Sequence, residues 1–115
     1  RNYERYKNNL SNVSGITLNT AGKNTQSIYW MTSLLLNPET GVNRDNFMKD
    51  LRDLKIDTRT VFPSISQYPI WGIKYEENKN SKIISENALN LPSGVMLTTN
   101  EIDYISDSVI KLLEK

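Results

Sequence analysis

The sequence predicts an α+β domain, a small sheet with helices packed on one face. Three observations carry that expectation: amphipathic helical stripes, short β-branched or aromatic runs set between turns, and a length suited to one hydrophobic core. The 115 residues, with 37% hydrophobic and 9% aromatic side chains, have neither the low apolar content of disorder nor a run long enough to cross a bilayer.

Tyr3, Tyr6 and Leu10 recur at i, i+3 and i+7, so residues 2 to 10 read as a helix. The chain opens on Arg1 rather than Met, with a stretch too polar for a signal peptide, and reads as a piece of something longer. Residues 1 to 10 are then the end of an interdomain linking helix whose tyrosines dock on another domain, and residues 11 to 115 form a single domain. Gly15 to Leu18 suits a short strand among Ser, Asn, Thr and Gly turns. Ile28 to Leu36 (IYWMTSLLL) is the most apolar run and reads as the central strand, with a turn at Asn37 to Gly41; Trp30 reads as a core residue, with stacking on a sugar or base as its alternative.

Asn43 can cap a helix over 44 to 55, with Phe47, Met48, Leu51 and Leu54 as its buried stripe. Ile56 to Phe62 alternates into a strand that Pro63 ends. Trp71 to Lys82 is expected to be a solvated loop, and Ser85 to cap a short helix running through Asn90. Leu91 to Gly94 is extended because Pro92 restricts its predecessor. Thr98 and Glu101 form a capping box ahead of the stripe Ile102, Ile105, Val109 and Leu112, which predicts a helix over 99 to 114.

Composition excludes more than it selects. Without cysteine or histidine there is no thiolate nucleophile, disulfide framework, usual general base or commonest metal ligand. A net charge of +1 from interspersed charges argues against nucleic acid as a partner. No membrane association and a cytoplasmic location are the expectations, and the composition alone says only that this is a small α+β domain.

Ordered phrases say more. Tyr29-Trp30-Met31, Arg44-Asp45 with Met48 and Leu51, Ile56-Asp57-Thr58-Arg59 with Phe62-Pro63, Pro69, Leu91-Pro92-Ser93-Gly94, and Leu97-Thr98 with Glu101-Ile102 and Tyr104-Ile105 follow one another in register. In order and spacing they resemble the C-terminal domain of the DegT/StrS-type aminotransferases of sugar nucleotides, most of all the perosamine-synthase-like members, from Arg1 to Lys115. The resemblance implies a fold-type-I enzyme that uses pyridoxal phosphate to pass an amino group to a keto sugar nucleotide in amino-sugar biosynthesis, working as a homodimer. It also implies that the cofactor lysine lies in a large domain outside this chain, so that no residue here is catalytic and no cofactor is expected on these residues.

The family's aromatic-Pro-aliphatic-His loop corresponds here to Pro63-Ser64-Ile65-Ser66, with Ser66 in the place of the histidine. A serine hydroxyl can donate and accept but does not titrate near neutral pH. By this resemblance Arg59, Ser64, Ser66 and Trp71 are the substrate-binding candidates. Two readings of Arg59 stand: a cation facing the substrate, or a strand-edge arginine paired with Asp57 or Asp53. Trp71 has two as well, ligand contact or packing on the large domain. The rival to an enzyme domain is a free-standing, non-catalytic interaction domain or the remnant of a degraded aminotransferase gene.

Overall fold

A computed structural model describes residues 1–71 and 78–115. Along the chain run α1 (Asn2–Leu10), β1 (Ile16–Leu18), β2 (Thr32–Leu36), α2 (Arg44–Asp53), β3 (Arg59–Thr60), α3 (Lys79–Asn87), β4 (Ala88–Leu91) and α4 (Thr99–Leu113). Single 3-10 turns occupy Pro38–Thr40, Ile65–Gln67 and Pro69–Trp71. The four strands form one antiparallel sheet in the order β1-β2-β4-β3.

Directly paired residues of antiparallel strands share a face, and here the register sorts them by polarity. Ile16 opposes Leu36, Leu34 opposes Leu89, and Thr32 opposes Leu91, all buried. On that side lie Tyr6 and Leu10 of α1, Phe47 and Leu51 of α2, and Ile102, Ile105 and Val109 of α4, which complete the core. The helices cover one sheet face, as the patterning predicts. The other face is polar at Thr17, Ser33, Asn90 and Arg59, with Ser33 opposite Asn90 and Asn90 opposite Arg59, and apolar where Leu35 opposes the buried Ala88.

Local chemistry explains the boundaries. Asn43 Oδ1 accepts from the Asn46 amide at 3.0 Å and starts α2. At its other end the Ile56 amide reaches the Leu51 carbonyl at 2.9 Å, with Lys55 at φ 65°, the geometry of a Schellman stop. Gly15 stands before β1 at φ 82°, and an added Cβ there would lie 2.9 Å from Thr40 Cγ2, so only glycine fits. Thr98 and Glu101 make the expected capping box, with the Glu101 carboxylate accepting from the Thr98 amide at 2.7 Å.

Several expectations are corrected. Tyr3 and Tyr6 do not form a docking stripe: both are buried in this chain's own interior, Tyr6 fully, with its hydroxyl donating to the Pro92 carbonyl at 2.8 Å. β2 begins at Thr32, because Tyr29 has φ 45° and turns the chain out of the sheet, leaving Ile28 and Trp30 exposed. Trp30 is therefore not a core residue. Leu54 is exposed where the helical stripe places it inside, since α2 ends before it, and its carbonyl accepts from the Tyr104 hydroxyl at 3.0 Å.

The helix expected from Ser85 through Asn90 is displaced. Lys79–Asn87 is helical, and Ala88–Leu91 is an interior strand lying between β2 and β3. The Ser85 hydroxyl bonds back to the Lys82 carbonyl at 2.9 Å, so it sits inside the helix instead of capping it. Of the loop expected over Trp71 to Lys82, residues 72–77 lie outside the described residues, and Lys79 to Lys82 are not loop but the start of α3. The strand expected over Ile56 to Phe62 reduces to Arg59–Thr60 at the sheet edge.

Candidate functional site

The face of the sheet that no core helix covers is the natural place for a site. Its floor is polar and ordered: the Ser33 hydroxyl donates to Asn90 Oδ1 at 2.7 Å, tying β2 to β4 through their side chains. Asn19, just past β1, extends the ladder with its amide group. Its Oδ1 accepts from the Ser33 amide at 2.9 Å while its own amide donates to the Ser33 carbonyl at 3.0 Å.

One wall is aromatic. Tyr29 stacks on Tyr3 with ring centroids 3.6 Å apart and planes 7° from parallel. Its hydroxyl accepts from the Ala21 amide at 2.9 Å, and its backbone amide donates to Ser27 Oγ at 3.1 Å. A left-handed backbone is unfavourable for a bulky residue, so these contacts hold a conformation the chain would otherwise leave. The result is that Trp30, next in sequence, stands out from the sheet with 65% of its surface exposed. Trp30, Phe62, Ser33 and Asn90 line a cleft of about 250 Å³ on this face. Tyr29 and Trp30 also line a second cleft of about 560 Å³ beside the start of α1.

The predicted residues are placed unevenly. Arg59 pairs with Asn90 across β3 and β4, so it projects from the same open face beside the cleft. Its guanidinium lies 2.8 Å from the Asp57 carboxylate with both side chains mostly exposed. Asp53, the other partner considered, holds Lys49 at 3.0 Å. Ser64 and Ser66 come together, both buried, with their hydroxyl oxygens 3.0 Å apart. That bond uses one of the two hydroxyl protons, leaving one free to donate elsewhere. Trp71 ends the 3-10 turn Pro69–Trp71 and is half exposed. Arg59, Ser64, Ser66 and Trp71 are not among the residues lining either cleft. The residues that do line them, Tyr29, Ser33, Phe62 and Asn90, escape sequence reasoning because Ser33 lies within an apolar run that reads as buried strand and Asn90 within a stretch that reads as helix. The one available signal was Asn24 to Ser27 ahead of the apolar run, a polar stretch that allows the chain to turn before the strand starts.

The titratable groups favour architecture over chemistry. Hydrogen bonds from Arg5 and Asn9 hold Asp103 down at about 2, and the backbone amide and hydroxyl of Thr98 hold Glu101 below the usual carboxylate range. Burial pushes the Tyr6 phenol well above its ordinary value. Lys49 moves upward because of its hydrogen bond to Asp53, the reverse of what an amine nucleophile requires. No group of His, Cys, Asp or Glu among the described residues is arranged to hold a metal ion. No helix is long and apolar enough to cross a membrane among them.

With this geometry in place, comparison with known proteins is direct. The sequence matches the DegT/DnrJ/EryC1/StrS aminotransferase family over residues 1–110. The chain belongs to that family. It is similar to the GDP-perosamine synthase of Escherichia coli O157:H7, 28% identical over 104 residues that make up 90% of this chain and 28% of that protein. Its fold matches DesI, solved in the presence of its TDP-sugar product, with a TM-score of 0.86 at 19% identity over 100% of this chain and 30% of DesI. It also matches the E. coli GDP-4-keto-6-deoxy-D-mannose-3-dehydratase with bound hydrated PLP, with a TM-score of 0.80 at 15% identity over 94% of this chain and 29% of the dehydratase. The chain spans less than a third of the length of each.

The described residues do not fit pyridoxal phosphate. An amine that forms a Schiff base is activated by desolvation, and every described lysine is exposed. Among the described residues none supplies the cofactor's chemistry.

Proposed function

We propose that this chain is the C-terminal domain of a pyridoxal-phosphate-dependent aminotransferase acting on a keto sugar nucleotide, in amino-sugar biosynthesis for a surface polysaccharide. In this reading α1 continues from a linking helix, and the domain supplies a wall of the substrate pocket and contacts to its own large domain and to a second subunit of a homodimer. The observation that carries it is the sheet face left open beside Arg59, lined by hydrogen-bonding side chains and aromatic rings. The GDP-perosamine synthase relative supports amino transfer as the reaction. The fold alone does not choose it, since a dehydratase shares it.

Arg59 faces the diphosphate or sugar, Trp71 borders the same ligand or the large domain, and Ser64 and Ser66 brace the loop between them, with the spare hydroxyl proton turned to substrate. Release of Arg59 from Asp57 costs little, because exposed ion pairs contribute about 0 to 1 kcal/mol. In the full-length enzyme Arg59→Ala is expected to raise KM for the sugar nucleotide by about tenfold or more, the loss of one charge-assisted hydrogen bond of about 1.5 to 3 kcal/mol. The half-reaction with the amino donor should stay intact. Thermal melting measured beside the kinetics guards against misfolding, and Arg59→Lys asks whether the planar fork is needed. Wild-type kinetics for a folded Arg59→Ala protein would remove Arg59 from the pocket. Formation of a deoxygenated rather than an aminated sugar would exclude the transferase reading.

A further inference from the structure

The geometry points to the 250 Å³ cleft between Trp30 and Phe62 as a binding site for an uncharged ring of the sugar nucleotide, the C–H face of its hexose or its base, with Trp30 as the stacking platform. This rests on the proposed function for the ligand's class, while the site itself is drawn from this chain. Trp30 and Phe62 are 65% and 78% exposed, large apolar side chains that folding alone would bury. Each lines the same cleft, above a floor made by Ser33 and Asn90. None of the cleft's described lining residues carries a charge, so the phosphates have no partner inside it and a neutral ring does.

Trp30 is held out by construction. Tyr29 keeps φ 45° only because its ring stacks on Tyr3 and its hydroxyl and amide are both bonded, to Ala21 and Ser27. Tyr3 is itself fixed, its hydroxyl donating to the Asn19 carbonyl at 2.6 Å. Backbone strain maintained by several independent contacts next to an exposed indole is the arrangement of a preorganised recognition surface. The floor is likewise set: Asn90 Oδ1 is taken by Ser33, and its Nδ2 reaches only the Thr60 carbonyl at 3.5 Å, which leaves that amide able to donate to a ring hydroxyl or carbonyl. Arg59, the register neighbour of Asn90, then stands where the charged part of the same molecule leaves the cleft.

The test uses the 115-residue chain labelled with ¹⁵N and titrated with GDP-mannose, guanosine and methyl α-mannopyranoside at millimolar concentrations. The expected result is a saturable shift of the Trp30 indole N–H and of the Ser33 and Asn90 signals with GDP-mannose. A matching response to the mannoside assigns the cleft to the hexose, and one to guanosine assigns it to the base. Trp30→Ala should weaken binding about tenfold, read on the Asn90 side-chain amide, and Phe62→Ala should weaken it less. Because both side chains are exposed, neither change threatens the fold. Unmoved Trp30, Ser33 and Asn90 signals at saturating GDP-mannose, or an unchanged affinity in Trp30→Ala, overturn the assignment. These outcomes are independent of the aminotransferase reading, which the kinetics of the full-length enzyme decide.

Discussion

The Ser64 and Ser66 hydroxyls show how one contact alters the meaning of a residue. Each is the other's partner in a buried setting, so removing either strands its neighbour. Ser64→Ala and Ser66→Ala are each expected to destabilise the fold by about 1 to 3 kcal/mol, with the double variant costing clearly less than the sum of the two. Denaturant unfolding of the set measures this, and additive effects would show that the hydroxyls act separately. Much of the residue scale is legible in the sequence: the Asn43 cap, the Thr98 and Glu101 box and the Asp57 partner of Arg59 all follow from side chains within a few positions. Trp30 is not legible. Its exposure depends on the backbone of Tyr29, which Tyr3 fixes from α1 and Ala21 from the loop after β1. The mutual burial of Ser64 and Ser66 is invisible for the same kind of reason, because short polar side chains in a loop carry no periodic signal.

Elements are legible in the sequence where local interactions suffice and hidden where pairing decides. α2 and α4 have strong amphipathic stripes and caps, and both form close to the expected bounds. In sequence, β4 resembles part of a helix because Ser85 resembles a cap. Its Ala, Leu and Asn residues gain strand geometry only by lying between β2 and β3, partners many residues away. At this scale Thr98→Ala should lower stability by about 0.5 to 2 kcal/mol, whereas Lys23→Ala on an exposed loop should leave melting unchanged. Equal shifts would show that the box does not start α4. The packing of α1 on α4 carries a second, pH-dependent expectation. Arg5 grips Asp103 with bonds of 2.7 and 2.6 Å, and Asn9 adds a third at 2.9 Å. The folded pKa of Asp103 is lowered from 3.8 to about 2, so its contribution is complete above the unfolded value and is lost as pH falls from near 4 toward 2. Asp103→Asn should therefore lower the melting temperature at neutral pH and flatten its decline through that acid window. Parallel curves for the two proteins would mean the clamp adds nothing.

At the scale of the molecule, the decisive fact is that α1 belongs to this domain's core. Tyr3, Tyr6 and Leu10 are buried, and the Arg1 and Asn2 side chains bind the carbonyls of Gly94, Val95 and Leu97 in the segment that enters α4. A helix whose apolar stripe fills its own domain transmits any force on its N-terminus into the sheet and α4. The cost of losing it can be bounded. Replacing a large buried aromatic with alanine costs about 3 to 5 kcal/mol, and a domain of this size has about 5 to 15 kcal/mol in all. Tyr6→Ala should then leave a folded but much weakened protein, melting well below the parent. Tyr6→Phe, which loses only the bond to the Pro92 carbonyl, should be affected far less, by about 1 kcal/mol. A chain starting at Ser11 loses Tyr3, Tyr6 and Leu10 together and exposes the faces of α4 and β2 that they cover. It should show no cooperative melt by circular dichroism and no dispersed amide spectrum. If the shortened chain melts cooperatively near the parent temperature, α1 is a detachable linker and its tyrosines are free to dock elsewhere. If it is unfolded while Tyr6→Ala remains folded, the helix is an integral layer of the domain, and residues 1 to 10 cannot be assigned to the linker alone.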